Sequence, residues 1–210
     1  SWLTAIAGKY VNEWFTLSVS ALATVINEQT DKGGSAGNHR KLTPYVSATF
    51  KPFRNEEFRV RFFYKDIFRL PSFNDLYYQE VGNSKLKPEN ARQYNIGLTY
   101  SRNVCTFLPY LSATVDAYYN KVTDKIIAYP TKNLAVWSMR NLGSVEIKGI
   151  DATGSLSLQP WESIRINFSG NYTYQRALDV TTPDASSNKS TYKHQIAYTP
   201  RVSASGQAGI

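Results

Sequence analysis

The sequence has 210 residues and a formal net charge of +8, with 15 tyrosines and 10 phenylalanines but only one methionine and one cysteine. A single cysteine, Cys105, excludes an internal disulfide framework and a cysteine-rich metal site. Lysine and arginine are spread along the chain without a basic cluster, so the charge does not favour nucleic acid as a partner. The apolar runs are far shorter than the ~18 residues of a transmembrane helix, but a transmembrane strand needs only ~9–11. The aromatic-rich composition favours β-structure.

Alternation of apolar and polar residues predicts about eight strands. Residues 1–12 are ambiguous between a short helix and a strand, and the alternation becomes clear from Trp14 onward. Each predicted strand has one apolar face and one face rich in serine, threonine, asparagine or arginine. The predicted strands cover approximately residues 14–25, 43–51, 58–65, 93–100, 111–120, 144–158, 164–174 and 193–210.

The stretch 67–92 is too long for a hairpin turn and too apolar for a slack linker. Pro71 cannot donate a hydrogen bond to a sheet, so the incoming strand is expected to end there. Ser72 and Asp75 have the spacing of a capping box and predict one helical turn. Pro88 favours an extended residue before it, and a new strand can begin after it. We therefore expect an ordered connector that forms structure rather than a binding motif.

The predicted connections alternate between long and short along the chain. The long ones cover residues 27–41, 67–92, 125–141 and 178–192. Outer-membrane barrels have this asymmetry, with short periplasmic turns and long external loops, and they place an apolar face toward lipid. The sequence therefore predicts an all-β fold, an antiparallel up-and-down meander of about eight strands that forms part of a larger transmembrane β-barrel.

Two motifs in the long stretch, "FRLPSFNDLYY" and "GNSKLKPE", resemble the barrel of TonB-dependent outer-membrane receptors. In that family an "R-x-P-S-x-x-[DE]-L" element precedes "G-N-x-x-L-K-P-E", and a membrane-crossing strand follows. Segments resembling other family strands occur at residues 116–126 ("DAYYNKVTDKI"), 141–158 ("NLGSVEIKGIDATGSLSL") and 198–201 ("YTPR"). The resemblance covers most of residues 43–205.

The resemblance implies a receptor in the outer membrane of a Gram-negative bacterium, with no enzymatic activity and no resident cofactor. Its ligand would be a scarce extracellular nutrient such as a ferric siderophore, haem, cobalamin or a glycan. The other expected partners are outer-membrane lipid and TonB, which acts through a plug domain expected to lie outside residues 1–210. At roughly 26 residues per strand, a barrel of ~22 strands needs about 570 residues, so this single-domain segment would form about a third of one.

Candidate ligand contacts lie on the predicted loops and on the polar strand faces. They are Arg59, Arg61, Tyr77, Tyr78, Tyr129 and Trp137. The two arginines would suit an anionic ligand, or would instead pair with acids across the barrel wall. His39 and His194 are far apart and have no partner at ligand spacing, so no catalytic residue and no metal site is predicted.

Two other classes of protein fit the same pattern. One is a complete eight-stranded outer-membrane barrel with a structural or adhesive role. The other is a soluble β-sandwich that binds carbohydrate through Tyr77, Tyr78, Tyr129 and Trp137.

Overall fold

The fold was analysed in a computed structural model. It describes residues 2–27, 38–53, 57–78, 81–130, 137–181, 192–196 and 199–210, and of residues 129 and 130 it describes the backbone only.

The described residues form one nine-stranded antiparallel sheet in which each strand pairs with its neighbours in the sequence. A short helix, α1 (Phe73–Tyr77), lies between the fourth and fifth strands. The all-β meander predicted from the alternation is thereby confirmed. The strands are β1 (Trp2–Val11), β2 (Phe15–Ile26), β3 (His39–Phe50), β4 (Phe58–Arg69), β5 (Glu89–Arg102), β6 (Tyr110–Pro130), β7 (Trp137–Trp161), β8 (Ile164–Asp179) and β9 (Val202–Gly209).

The first strand, the sixth hairpin and the last strand differ from the expectations. The strand predicted from residue 193 begins only at Val202. Residues 2–11, ambiguous in the sequence, form β1, so the sheet has nine strands rather than eight. The loop predicted over residues 125–141 is wrong for most of its length, because β6 and β7 remain paired up to Pro130 opposite Trp137. Asp124, with a φ of 53°, lies in the left-handed region within β6. The projecting part of this hairpin lacks the alternation that marks the other strands.

The sheet is open. Among the described strands, β1 pairs only with β2 and β9 pairs only with β8, so each presents a free edge. Neither edge pairs with the other, as closure of a small barrel would require. The strands also form one layer rather than the two packed sheets of a sandwich. A wall segment of a larger barrel is the architecture that fits both observations.

Long and short connections lie at opposite ends of the sheet. At one end, residues 12–14, 51–57, 103–109 and 162–163 join successive strands. At the other end, residues 27–38, 70–88 and 180–201 form longer connections, whereas only residues 131–136 join β6 and β7. The predicted asymmetry between the two ends is therefore present, and we call them the short-turn end and the long-connection end.

The two faces of the sheet have opposite character. One face, which we call the outer face, is mainly apolar. A cross-strand row on it runs through Leu17, Ala48, Phe62, Ile96, Ala117, Ile150, Tyr174 and Val202. Most of its large members are exposed. The adjacent row on the other face runs through Thr49, Arg61, Gly97, Asp116, Asp151, Thr173 and Ser203. Exposed apolar side chains across the middle of one face match lipid contact, and the polar row on the other face matches a wet interior.

The buried apolar residues form two small clusters near the long-connection end rather than a central core. Leu76, Leu86 and Ile126 form one cluster, with Met139 packed against it. Ala91, Val122 and the fully buried Val145 form the other. Burial is thus concentrated where the long connections fold back on the sheet.

Candidate functional site

The segment after β4 turns sharply and is capped. The amide of Asp75 donates to Ser72 Oγ at 3.2 Å, and the amide of Ser72 donates to Asp75 Oδ2 at 2.9 Å. This reciprocal pair is the capping box expected from the sequence. Arg69 forms one ion pair with the Asp75 carboxylate at 3.2 Å and a second ion pair with Glu89 at 3.6 Å. It therefore links the end of β4 to the start of β5.

Residues 81–87 form hydrogen bonds with β7 of the projecting β6–β7 hairpin, and each bond involves at least one backbone group. The amide of Met139 donates to the carbonyl of Val81 at 2.8 Å, and Asn83 Nδ2 donates to the carbonyl of Met139 at 2.9 Å. Asn141 accepts from the amide of Lys87 at 2.8 Å and donates to its carbonyl at 2.9 Å. We call this unit, residues 70–78 and 81–88 with 124–130 and 137–142, the rim assembly.

A small apolar cluster joins the two segments of the rim assembly. Leu76 of α1 and Leu86 pack on Ile126 of β6, and Met139 of β7 covers them. Burying a leucine side chain contributes about 1.5–3 kcal/mol, so Leu76 and Leu86 add to the hydrogen bonds between the two segments. Packing and hydrogen bonds together hold the rim assembly as one unit at the long-connection end.

The polar face carries a row of charged groups across three strands. Arg61 of β4 forms an ion pair with Asp116 of β6 at 3.1 Å, passing over Gly97 of the intervening strand β5. Asp151 of β7 lies directly opposite Asp116. Its Oδ1 atom is buried and has no hydrogen-bond partner within the described part of the chain. The row thus pairs one arginine with one of two neighbouring carboxylates.

Gly97 leaves the space that this ion pair occupies. A Cβ atom at this position would overlap Asp116 Oδ1 and would lie 3.1 Å from Arg61 Nη2. We expect Gly97→Ala to lower the free energy of unfolding by about 1 kcal/mol, because a half-exposed ion pair contributes little and the side chains can move aside. Thermal unfolding of the intact protein measures the change.

Gly154→Ala, at a sheet glycine whose Cβ would meet only a carbonyl oxygen at 3.8 Å, is the matched control and should be close to neutral. An equal effect of the two substitutions would contradict the role given to Gly97.

The structure separates the six candidate ligand residues. Arg59 lies on the polar face opposite Thr99, one row from Arg61. Tyr77 and Tyr78 lie at the end of α1. Tyr78 is 63% exposed, and the ring of Tyr77 is tilted against that of Phe73 with the centroids 5.1 Å apart. Trp137 begins β7 beside the rim. The side chain of Tyr129 lies outside the described residues. The tyrosines and Trp137 thus share the rim, whereas the arginines line the wall below it.

The pairing of Arg61 with Asp116 is the second of the two roles that the sequence left open for that arginine. An arginine already neutralised by a carboxylate is less available to an anionic ligand. The exposed aromatic residues on α1 are thereby the stronger candidates for ligand contact.

Sequence reasoning did not single out Asn83, Asn141 or Glu89, which organise the rim. The sequence did contain a signal for these three residues, because each belongs to a motif that resembles the family. The motif "GNSKLKPE" contains Asn83 and Glu89, and "NLGSVEIKGIDATGSLSL" begins with Asn141. Motifs identify which residues recur, but only the tertiary contacts reveal that Asn141 binds the backbone of Lys87.

Within the described residues, histidine, cysteine, aspartate and glutamate nowhere form a group of three that could hold a metal ion. No helix of that same part has the length and apolar character that a membrane crossing requires.

One antiparallel meander with an apolar outer face, a polar inner face and its long connections at one end defines a wall of an outer-membrane-type β-barrel. The family model described as "TonB dependent receptor-like, beta-barrel" matches residues 9–210. The chain belongs to this family of TonB-dependent receptor barrels. Members of the family are receptors and transporters of the Gram-negative outer membrane rather than enzymes.

The chain is similar in sequence to the vitamin B12 transporter BtuB of Vibrio vulnificus, with 33% identity over 84 residues. The match covers 40% of this chain and 13% of that protein. BtuB of Photobacterium profundum is 31% identical over 94 residues, covering 43% of this chain and 14% of the relative. The chain therefore spans a small part of the curated relatives that it matches.

In fold, the chain is similar to the siderophore receptor PiuA of Acinetobacter baumannii, with a TM-score of 0.59 and 13% identity. That superposition covers 98% of this chain and 30% of PiuA. At this identity the likeness concerns the fold alone.

Proposed function

We propose that this chain is part of the wall and rim of a receptor that binds a scarce nutrient outside the cell and imports it with energy delivered by TonB. The observation that carries the proposal is the rim assembly, a packed and hydrogen-bonded unit that presents the exposed aromatic residues Phe73, Tyr77 and Tyr78 at the long-connection end. In a barrel of this class that end faces the medium. The ligand would meet these residues before it reaches the polar face.

Cobalamin is the first ligand to test, because two curated relatives above 30% identity are vitamin B12 transporters. Ferric siderophores, haem and glycans remain further candidates. A structural relative named as a siderophore receptor supports the first of these only at the level of fold. Coupling to TonB would require a plug domain inside the barrel, and the polar row around Arg61 and Asp151 is a surface that such a domain could contact.

Calorimetry on the complete receptor that contains these residues tests the proposal, with cobalamin, ferric siderophores, haem and glycans titrated in turn. We expect saturable binding of one class and none of the others. Absence of binding by every class would contradict a nutrient receptor. Uptake of the ligand that binds should then disappear in cells lacking TonB.

Tyr78→Ala should weaken ligand binding about tenfold, since truncating an exposed aromatic anchor typically costs more than 1 kcal/mol. The backbone carbonyl of Tyr78 accepts hydrogen bonds from the amides of Val81 at 3.3 Å and Gly82 at 2.8 Å, and these survive the substitution. Calorimetry with the ligand identified above measures the change.

Tyr110→Ala is the control, because Tyr110 is also exposed but begins β6 at the short-turn end. Unchanged affinity in Tyr78→Ala would remove this tyrosine from the ligand contacts.

A further inference from the structure

A band of tyrosines marks the outer face toward the long-connection end. Tyr64, Tyr94 and Tyr119 are directly opposite one another on β4, β5 and β6. Their ring centroids lie 5.0 Å and 6.1 Å apart. Aromatic girdles of this kind occupy the boundary between the hydrocarbon core and the lipid headgroups. Side chains just beyond the band therefore lie at headgroup level.

Charged side chains occupy the next row beyond the tyrosines, and two more lie in the tyrosine row itself on the following strands. The next outer-face row runs through Asp66, Arg92, Lys121 and Glu146, from β4 to β7. The tyrosine row itself continues as Lys148 on β7 and Arg176 on β8. All four basic residues are exposed. We call Arg92, Lys121, Lys148 and Arg176 the basic patch.

The two acids among these residues are less exposed than the cations and are engaged. Tyr64 donates its hydroxyl to Asp66 at 2.6 Å, and Tyr119 donates to Glu146 at 3.1 Å. The carboxylate side chains are 18% and 28% exposed, whereas Arg92 and Lys148 are 67% and 66% exposed. The positive groups thus form the outer surface, and four cations against two acids leave an excess of two positive charges.

The register places like charges directly against each other twice. Arg92 lies opposite Lys121, and Lys148 lies opposite Arg176. Directly opposed like charges destabilise a sheet. Asp66 lies 3.9 Å from Arg92 Nε and Glu146 lies 3.6 Å from Lys148 Nζ, so within the described residues one cation of each pair, Lys121 or Arg176, has no ion-pair partner. From β5 to β8 the basic patch spans three strand spacings, roughly 14 Å, which suits an anionic headgroup that bridges both pairs.

We propose that the basic patch binds the phosphate groups of an anionic lipid headgroup in the outer leaflet. The position of the patch indicates the occupant, because the patch lies on the outer face beside the tyrosine band and Ile150 and not on the polar face. Guanidinium and ammonium groups are the usual phosphate ligands. Clustered lysine and arginine beside a membrane span attract anionic lipid, at about fivefold in affinity for each cation. This inference is independent of the nutrient that the receptor imports.

Native mass spectrometry of the complete receptor in neutral detergent tests the proposal. The probes are bisphosphorylated lipid A, its dephosphorylated form and inorganic phosphate. The double variant Lys121→Gln/Arg176→Gln should bind the phosphorylated lipid about 25-fold more weakly than the unaltered protein. Charge-conserving Lys121→Arg/Arg176→Lys should bind within about twofold of it, which shows that an altered fold is not the cause.

The control variant Arg102→Gln/Arg165→Gln removes the same charge from exposed residues at the short-turn end and should leave lipid binding unchanged. Equal binding of the dephosphorylated lipid would overturn the proposal, as would an equal loss in this control. Displacement of the lipid by inorganic phosphate at comparable concentration would mean an adventitious ion only.

Discussion

Gly82→Ala is expected to loosen the rim assembly, because a methyl group at this position would overlap backbone atoms of that assembly. A Cβ at Gly82 would lie 2.7 Å from the amide nitrogen of Tyr78, 2.8 Å from its carbonyl oxygen and 2.9 Å from the carbonyl carbon of Leu76. These are backbone atoms of one helical turn and cannot rotate away as a side chain can. Overpacking of this kind costs up to about 3 kcal/mol.

Hydrogen exchange locates and measures the loss. The amide of Asn83, bonded to the carbonyl of Asp75 at 2.8 Å, and that of Met139, bonded to Val81 at 2.8 Å, should exchange about 100-fold faster in Gly82→Ala. Amides of β2 and β3 should be unaffected. Gly8→Ala is the control, since a Cβ there meets nothing within 4 Å. Unaltered exchange at Asn83 and Met139 would show that Gly82 is not a packing requirement.

Asn141→Ala is expected to have the second largest effect, because one side chain holds three backbone groups. It accepts from the amide of Lys87 at 2.8 Å and donates to the carbonyls of Lys87 at 2.9 Å and Asp124 at 2.7 Å. Each bond contributes about 1 kcal/mol net. Since the Lys87 bonds are exposed and water can replace part of them, a total of about 2 kcal/mol is expected.

The readout is again local. Exchange of the Lys87 amide should accelerate about 30-fold in Asn141→Ala, and thermal unfolding of the intact receptor should begin at a lower temperature. Asn167→Ala is the matched control, because the side chain of Asn167 accepts one hydrogen bond from Ser157 near the short-turn end. Wild-type exchange at Lys87 would contradict the role of Asn141 as the clamp between the two segments.

The wall could be predicted because its signal is local. Alternation along β4, β5 and β8 assigns each side chain to a face, since successive residues of a strand point to opposite sides. The capped helical turn could also be predicted, because Ser72 and Asp75 are three residues apart and the capping box needs no distant partner. Pro71 and Pro88 predicted where the connection begins and ends. In the structure β4 ends at Arg69 and β5 begins at Glu89.

The projecting β6–β7 hairpin could not be predicted in the same way. Its residues 125–130 show no alternation, and Asp124 in the left-handed region departs from regular strand geometry before them. Its strands are held by contacts with a distant segment of the chain, through Asn83 and Met139, which are 56 residues apart in sequence. Such contacts leave no periodic trace in either segment.

The sequence by itself determined the all-β meander, the two faces of the wall, the end that carries the long connections and the family to which the barrel belongs. Each of these follows from residue spacing within single strands or short motifs. Only the tertiary structure decided that Arg61 is paired with Asp116, that β1 completes nine strands, and that residues 81–88 are clamped to β6 and β7. Those outcomes depend on cross-strand register and on long-range packing. Both bring together residues that are far apart in the chain, so no local sequence pattern predicts their contact.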